Sequence, residues 1–311
     1  MKSVIVIFAP TACGKTALAE DLFGKSSLSC FKGRGEVVSA DSQTVYRGLN
    51  IGTAKPSPAE MEELPHHLID IADPQTQFGA GEFMDAADSA CREILSRNHF
   101  PLVVGGSGFY MRNFLMGLTK APVCPDEIRL KIKKRLDQEG PDTLYRELLA
   151  LDPLYASKIS PNDHGRVCRA LEVFYTSGKP LSSYKMPDSL RRDFDFLVLI
   201  LNRQREDLYR RIDLRVDRMF EEGLEEEVRA LKASGCTKDT PAMKAIGYSE
   251  FFEEGLKREE IKEKIKLDSR HYAKKQYTFM KGIPGAFIVD ADNRERIENL
   301  INQFCSGLKV L

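Results

Sequence analysis

The sequence predicts an α/β protein: a mainly parallel sheet flanked by helices, with one all-helical insertion. Three observations carry this reading. Short β-branched runs alternate with helical stretches through the first 120 residues, which implies right-handed βαβ units. A glycine–lysine loop stands directly between the first such run and the first helix. Between about 121 and 192 the apolar spacing is helical only, and strand-type patterning returns at Phe196 to Leu201.

Taken in order, Ser3 to Ala9 is a continuous apolar run of the kind found in buried parallel strands. It opens like a signal peptide, but its apolar stretch falls short of the ~7–15 residues such a segment needs and leads straight into the loop. Lys15 to Phe23 follows as a helix, with Leu18 and Leu22 four apart. Glu36 to Ala40 is a second strand that ends at Asp41, and His67 to Ile71 is a candidate third. Phe83 to Ser96 reads as a helix and Pro101 to Val104 as a strand before Gly105-Gly106. Ile128 to Gln138, Asp142 to Leu151 and Arg166 to Ser177 are helical, broken by Pro141, Pro153, Pro161 and Gly178. From Arg205 to about Lys281 the pattern is helical again. Residues 1–120 and 193–311 are therefore expected to be two parts of one α/β core, with 121–192 inserted between them.

The chain has 311 residues, 42% of them hydrophobic and 30% charged, so it carries ample apolar side chain to form a core. Lys plus Arg and Asp plus Glu both number 46, giving no net charge. A basic field over the whole surface is excluded, while a local basic patch is not. No apolar run approaches the ~18 residues of a membrane span, so no membrane association is expected. The seven cysteines lie far apart in sequence, with no C-x-x-C pair. That suggests neither a zinc site nor a disulfide framework, and it fits a reducing cytoplasm.

The strongest local signal is Ala9-Pro10-Thr11-Ala12-Cys13-Gly14-Lys15-Thr16. Apart from Ala9 at the first glycine position, it is the phosphate loop G-x-x-x-x-G-K-[ST] of nucleotide- and ATP-binding proteins, which makes the expected core P-loop NTPase-like. Such a loop turns backbone N–H groups toward an anion at the positive end of the following helix. Lys15 adds a mobile cation, and the Thr16 hydroxyl can hold Mg²⁺ beside a bound phosphate. The alternative is a chance G-K-T at a helix start. The motif speaks for pyrophosphate or triphosphate binding and does not single out ATP.

Asp41 stands at the carboxyl end of a strand, the edge that forms the ligand crevice of open α/β sheets. There it can act as a general base or hold a metal through water. The alternative is a carboxylate that caps the next helix. Gly105-Gly106-Ser107-Gly108 and the glycine-rich loop from Gly48 to Pro56 are expected at the same edge. From Arg270 to Lys281 there are four cations and no acid, with Arg270, Lys274, Tyr277 and Lys281 at helical spacing. Such a face suits RNA phosphates, against the plain alternative of a solvated surface. Arg211, Arg215 and Arg218 line one side of another helix, and spacing alone does not say which of them faces the phosphate loop. His66 and His67 are read as locally bonded.

These motifs together resemble the tRNA dimethylallyltransferase, or tRNA isopentenyltransferase, family over nearly the whole chain. The resemblance rests on Ala9 to Thr16, Ser39 to Pro56, Pro65 to Asp70, Gly105 to Arg112, Asn162 to Val173, Ala245 to Glu250 and Ser269 to Phe279, in this order. It implies transfer of a dimethylallyl group from dimethylallyl diphosphate to the N6 amine of the adenosine 3′ of a tRNA anticodon, with loss of pyrophosphate and a need for Mg²⁺. It further implies Asp41 as general base, and Thr16 near the bridging oxygen and the metal. Lys15 is implied as the diphosphate lysine, and Arg215, with Arg211 less directly, as the diphosphate arginine. Ser42, Gln43, Thr44, Ser107, Arg129 and Arg166 are implied on tRNA together with Asp41, and Lys274 and Lys275 join them from the basic helix. The insertion would grip the anticodon stem-loop. No obligatory protein partner is implied. This chain departs from the family pattern in having Ala9 for Gly, Thr44 where Gln is usual, Ser107 for Thr and Phe279 for Trp.

Three other functions share parts of this pattern. A P-loop small-molecule kinase needs the loop but not the basic helix. An adenylate isopentenyltransferase uses the same chemistry on free nucleotide. A nucleotide-switched RNA-binding protein needs no catalytic carboxylate.

Overall fold

The computed structural model describes residues 2–307. The chain forms two compact units. One runs up to Met116 and resumes at Ser189; the other is Gly117–Asp188. The helical unit thus starts and ends slightly earlier than the expected 121–192. For the later boundary the reason lies in Arg191. Its backbone N–H donates to the Leu115 carbonyl at 2.9 Å. Its guanidinium pairs with Asp88 and lies over the Phe114 ring, 4.6 Å from the centroid. Those bonds fix the segment after Asp188 to the sheet-bearing unit.

That unit begins with β1 (Ser3–Phe8), α1 (Lys15–Phe23), β2 (Gly35–Ala40), α2 (Pro58–Glu63) and β3 (His66–His67). It continues with α3 (Ala80–Ser96), β4 (Phe100–Gly105) and α4 (Gly108–Met116). The helical unit supplies α5 (Asp126–Glu139), α6 (Pro141–Leu151), α7 (Pro153–Ala156) and α8 (His164–Ser177). The first unit then resumes with β5 (Asp195–Asn202), α9 (Arg205–Glu221), α10 (Leu224–Ala233), α11 (Arg258–Met280), β6 (Phe287–Asp290) and α12 (Arg294–Cys305).

Among the described residues, six strands form one sheet in the order β3-β2-β4-β1-β5-β6. Every pairing in it is parallel. β1 lies between β4 and β5, with Ile5 opposite both Leu102 and Leu197. Both of its faces are covered, which explains the unbroken apolar run. Ile5 and Ile7 join one core with Leu18 and Leu22 of α1 and Leu208 and Ile212 of α9. Val4, Val6 and Phe8 join the other with Phe83 of α3 and Phe114 of α4. The chain leaves β1 for β2 on one side and later crosses to β5 on the other. The carboxyl ends of β1, β2 and β4 therefore meet at a switch of direction, where such sheets bind ligands.

The third strand is shorter than expected. Leu68 and Asp70 have φ of 64° and 56°, left-handed values that end the extended run after His67. The helix α4 and the closing pair β6 and α12 carry weaker sequence signals. β6 has four residues and leaves Ile288 exposed, so it lacks the continuous apolar signature of the central strands. The helical unit has its own core, built on Ile132, Leu144, Leu148, Val167 and Leu171.

Candidate active site

The phosphate loop follows β1 directly. Ala12 and Gly14 both take positive φ, 60° and 97°, and Gly14 opens α1 from the left-handed region. Such alternation turns successive N–H groups to one side. Ala9 is not among the positive-φ residues, and its N–H donates to the Gly105 carbonyl at 3.2 Å. A Cβ therefore costs nothing there, which accounts for alanine in place of glycine. Pro10 follows, and Cys13 is fully buried, with its thiol directed to the Leu201 carbonyl at 3.7 Å. Burial pushes that thiol up.

Lys15 folds back over its own loop, donating to the carbonyls of Ala9 at 3.0 Å and Pro10 at 2.8 Å. Burial pushes its ammonium down to about 8, with Arg215 adding to the depression and Asp41 opposing it. Thr11, Lys15 and Thr16 line a cavity of about 480 Å³ over the strand ends. Asp41, Ser42, Gln43 and Thr44 line it as well.

Asp41 Oδ1 accepts from the Gln43 N–H at 2.8 Å, so one carboxylate oxygen fixes the turn after β2. This is a turn of the Asx type; no helix follows for Asp41 to cap. Ser107 accepts from the Ser42 N–H at 2.9 Å and donates to the Ser42 hydroxyl at 3.2 Å, tying the end of β4 to the same turn. Thr44 is buried against Ser39, Oγ to Oγ 3.0 Å. Gln43 is the one that reaches the cavity with unused capacity: its Oε1 is buried and accepts no hydrogen bond.

Of Arg211, Arg215 and Arg218 on α9, Arg215 turns to the site. It donates to the Thr11 hydroxyl at 2.8 Å and to the Thr53 carbonyl at 2.9 Å. No carboxylate pairs with it among the described residues, and burial lowers its pKa. Arg211, expected beside it, is bonded to Asp207 at 2.8 Å and is absent from the cavity wall.

The basic face of α11 is smaller than its sequence implies. Arg270 pairs with Asp213 of α9 at 2.7 Å, so the missing acid comes from another helix. Tyr277 is half-buried and its hydroxyl accepts from the Arg203 N–H at 3.1 Å. Lys274 and Lys275 stay exposed, with no ion pair among the described residues. In the helical unit, Arg129 and Arg166 are exposed on α5 and α8, next to Asp126 at 3.1 Å and Asp163 at 3.3 Å.

The structure adds residues that sequence reasoning passed over. Gln276 is buried and joins two loops, accepting from the Thr11 N–H at 3.2 Å and donating to the Gly106 carbonyl at 2.7 Å. Its spacing with Ala273 and Met280 puts a polar residue in the buried stripe of α11, a signal visible in the sequence. Tyr272 presents its ring to the cavity, and burial raises its hydroxyl pKa to about 12 against the effect of the Ser107 and Gln276 side chains. Lys244 lines the cavity as an exposed cation without a partner among the described residues. Ile212, Val216 and Met219 of α9 and Ile265 of α11 give the cavity an apolar wall.

No group of three or more His, Cys, Asp or Glu is placed to hold a metal among the described residues. His66 donates through Nδ1 to the Leu64 carbonyl at 2.6 Å, and His67 bonds to Glu36 at 2.8 Å. No helix among the described residues is long and apolar enough to cross a membrane.

The model of the IPP transferase family matches residues 44–282. A tRNA dimethylallyltransferase of Geobacter sulfurreducens is 41% identical over 285 residues, 90% of this chain and 89% of the relative. A solved tRNA isopentenylpyrophosphate transferase of Bacillus halodurans superposes with a TM-score of 0.69 at 32% identity, covering 99% of this chain and 98% of that one. A eukaryotic dimethylallyltransferase acting on tRNA gives a TM-score of 0.81 at 30% identity, covering 100% and 81%. With the family model spanning most of its length, and relatives this similar over nearly all of it, the chain belongs to the IPP transferase family.

Proposed function

We infer that the chain is a tRNA dimethylallyltransferase that takes its prenyl group from dimethylallyl diphosphate. In this reading it alkylates the N6 amine of the adenosine 3′ of the anticodon and releases pyrophosphate. One observation carries it: a single cavity joins an anion cradle, a carboxylate and an apolar wall. Lys15, Thr16 and Arg215 supply the cradle, Asp41 the carboxylate, and Ile212, Val216, Met219 and Ile265 the wall. Its volume of about 480 Å³ is in the range of small-ligand sites. An apolar wall beside a phosphate loop suits an isoprenoid tail, which a phosphoryl-transfer site does not need.

The bond between C1 of the prenyl group and the diphosphate oxygen breaks, and a bond from N6 to C1 forms. The amine proton passes to Asp41, and the electron pair of the broken bond leaves on pyrophosphate. Lys15 and Arg215 oppose that developing charge, and preorganised charge of this kind is commonly the largest catalytic contribution. Lys244 is placed to join them. Gln43 Oε1, buried without a donor, suits the second amine hydrogen. Ser107 and Ser42 hold the turn that carries Asp41.

Mg²⁺ fits the donors present. It prefers few protein oxygens plus substrate phosphates, and the cavity offers Thr16 and Asp41 with no all-protein cage. When bound it would be held by Thr16 and would supply positive charge at the leaving diphosphate. Arg129, Arg166, Lys274 and Lys275 are proposed RNA contacts, and the cytoplasm is the proposed site of action.

The test is label transfer. With labelled dimethylallyl diphosphate, label appears in tRNA and not in AMP. Label in AMP alone supports the adenylate enzyme, and γ-phosphate transfer from ATP without prenylation supports the kinase.

A further inference from the structure

The loop from Asn50 to Thr53 carries an internal anion. Glu227 of α10 accepts from the Asn50 N–H at 2.9 Å, the Ile51 N–H at 2.9 and 3.1 Å and the Gly52 N–H at 3.2 Å. The Tyr248 hydroxyl donates to the same carboxylate at 2.6 Å. Three successive amides converging on one carboxylate form an anion nest. Here the anion is part of the chain. Tyr248 is fully buried, and a Cβ at Gly52 would lie 2.6 Å from its ring, so this loop admits only glycine there.

The next residue connects the nest to the site. Thr53 turns its hydroxyl inward to the Leu49 carbonyl at 2.7 Å and its own carbonyl outward to Arg215 at 2.9 Å. The other guanidinium nitrogen holds Thr11 of the phosphate loop at 2.8 Å. Arg215 therefore rests on two neutral acceptors, and one of them is placed by Glu227.

We propose that Glu227, braced by Tyr248, is a positioning residue for the leaving diphosphate: it gathers the amides of residues 50–52, thereby fixes the Thr53 carbonyl, and through it aims the Arg215 guanidinium into the cavity. The proposal rests on the reading of the cavity as a diphosphate site. A Glu227→Gln side chain keeps the size but sets an NH₂ group against N–H donors. The loop loosens, and Arg215 loses a fixed acceptor.

The experiment titrates inorganic pyrophosphate with magnesium chloride into the full chain by calorimetry, for wild type, Glu227→Gln, Arg215→Ala and the double variant. Glu227→Gln should weaken binding about tenfold, the size of one well-oriented charged hydrogen bond. The double variant should bind no worse than Arg215→Ala, because both substitutions remove the same interaction. In prenyl transfer to tRNA, Glu227→Gln should raise KM for dimethylallyl diphosphate while tRNA affinity stays unchanged. Losses that simply add in the double variant overturn the proposal, as does unchanged pyrophosphate affinity in Glu227→Gln. Tyr248→Phe removes one donor and leaves the packing intact, so it carries the test if Glu227→Gln does not fold. It should weaken pyrophosphate in the same direction by a smaller factor, and an unchanged affinity overturns the proposal. A wild type that binds pyrophosphate but prenylates no acceptor sinks the function and leaves the positioning test standing. A wild type that binds no pyrophosphate sinks both.

Discussion

The Gln276 carboxamide donates to the Gly106 carbonyl at 2.7 Å, joining α11 to the turn after β4. Its oxygen accepts from Thr11, so one buried side chain braces the phosphate loop and the glycine turn together. A Cβ at Gly106 would collide with the Gln276 amide nitrogen. That amide ends a flexible side chain and can move away, giving up both bonds. Gly106→Ala should therefore fold, lose about 2 kcal/mol of stability and bind pyrophosphate more weakly. At Gly105 the obstacle is the Ala40 backbone, which cannot move aside. Gly105→Ala should fail to give soluble protein. Urea midpoints and expression yields of the two variants check the contrast; equal behaviour would remove Gln276 as the brace.

The features legible in the sequence were the local ones. The phosphate loop reads from a strand, a glycine–lysine pair and a helix that are contiguous, and Asp41 reads from the end of an apolar run. The residues around them are brought in from far along the chain. Arg211 and Arg215 are one helical turn apart on α9, and only packing decides that Arg215 meets Thr11 while Arg211 meets Asp207. The bare cationic run at Arg270 was misleading because its acid, Asp213, lies on a neighbouring helix. Glu227 looks like one more surface glutamate in an acidic first turn; its nest appears only once α10 packs against the loop.

Asp41 should be the most costly single loss in turnover. One of its oxygens holds the Gln43 N–H, so Asp41→Asn keeps that acceptor and the turn while removing the base. General-base catalysis contributes about 10²–10⁴-fold, and kcat should fall within that range with tRNA affinity nearly unchanged. Single-turnover prenylation at saturating tRNA measures it. A variant within threefold of wild type would take the base role away from Asp41.

Glu36 gives the fold a pH dependence separate from the site. Its side chain is almost fully buried, and it accepts from Arg97 at 2.8 Å, His67 at 2.8 Å and His99 at 2.9 Å. Burial alone would raise its pKa; those three partners together hold the carboxyl down at about 2. Because the folded value lies below the ordinary 4.5, the stabilisation is complete above about 4.5 and is lost as the pH falls toward 2. Glu36→Gln should cost about 3 kcal/mol near neutral pH, as expected when one partner of a buried ionic cluster is removed. The gap to wild type should narrow below pH 4.5. Urea denaturation of both proteins at pH 7 and pH 3 tests this, and a gap that does not shrink at pH 3 would contradict it.

Lys274 and Lys275 test whether α11 touches RNA. Both are exposed, and neither has an ion-pair partner among the described residues, unlike Arg270 on the same helix. A lysine on a nucleic-acid phosphate releases condensed counterions, so log affinity falls with log salt by roughly 0.7–0.9 per contact. Replacing both with alanine should weaken tRNA binding and flatten that slope by up to about two units. Adjacent residues on a helix point about 100° apart, so a drop near one unit would mean that only one of them reaches phosphate. Neither lysine lines the cavity, and pyrophosphate affinity should be untouched. Filter binding of tRNA across a salt series, with a parallel pyrophosphate titration, separates the two effects. An unchanged affinity and slope would make this helix a solvated surface, and would leave the RNA contacts to be sought elsewhere on the chain.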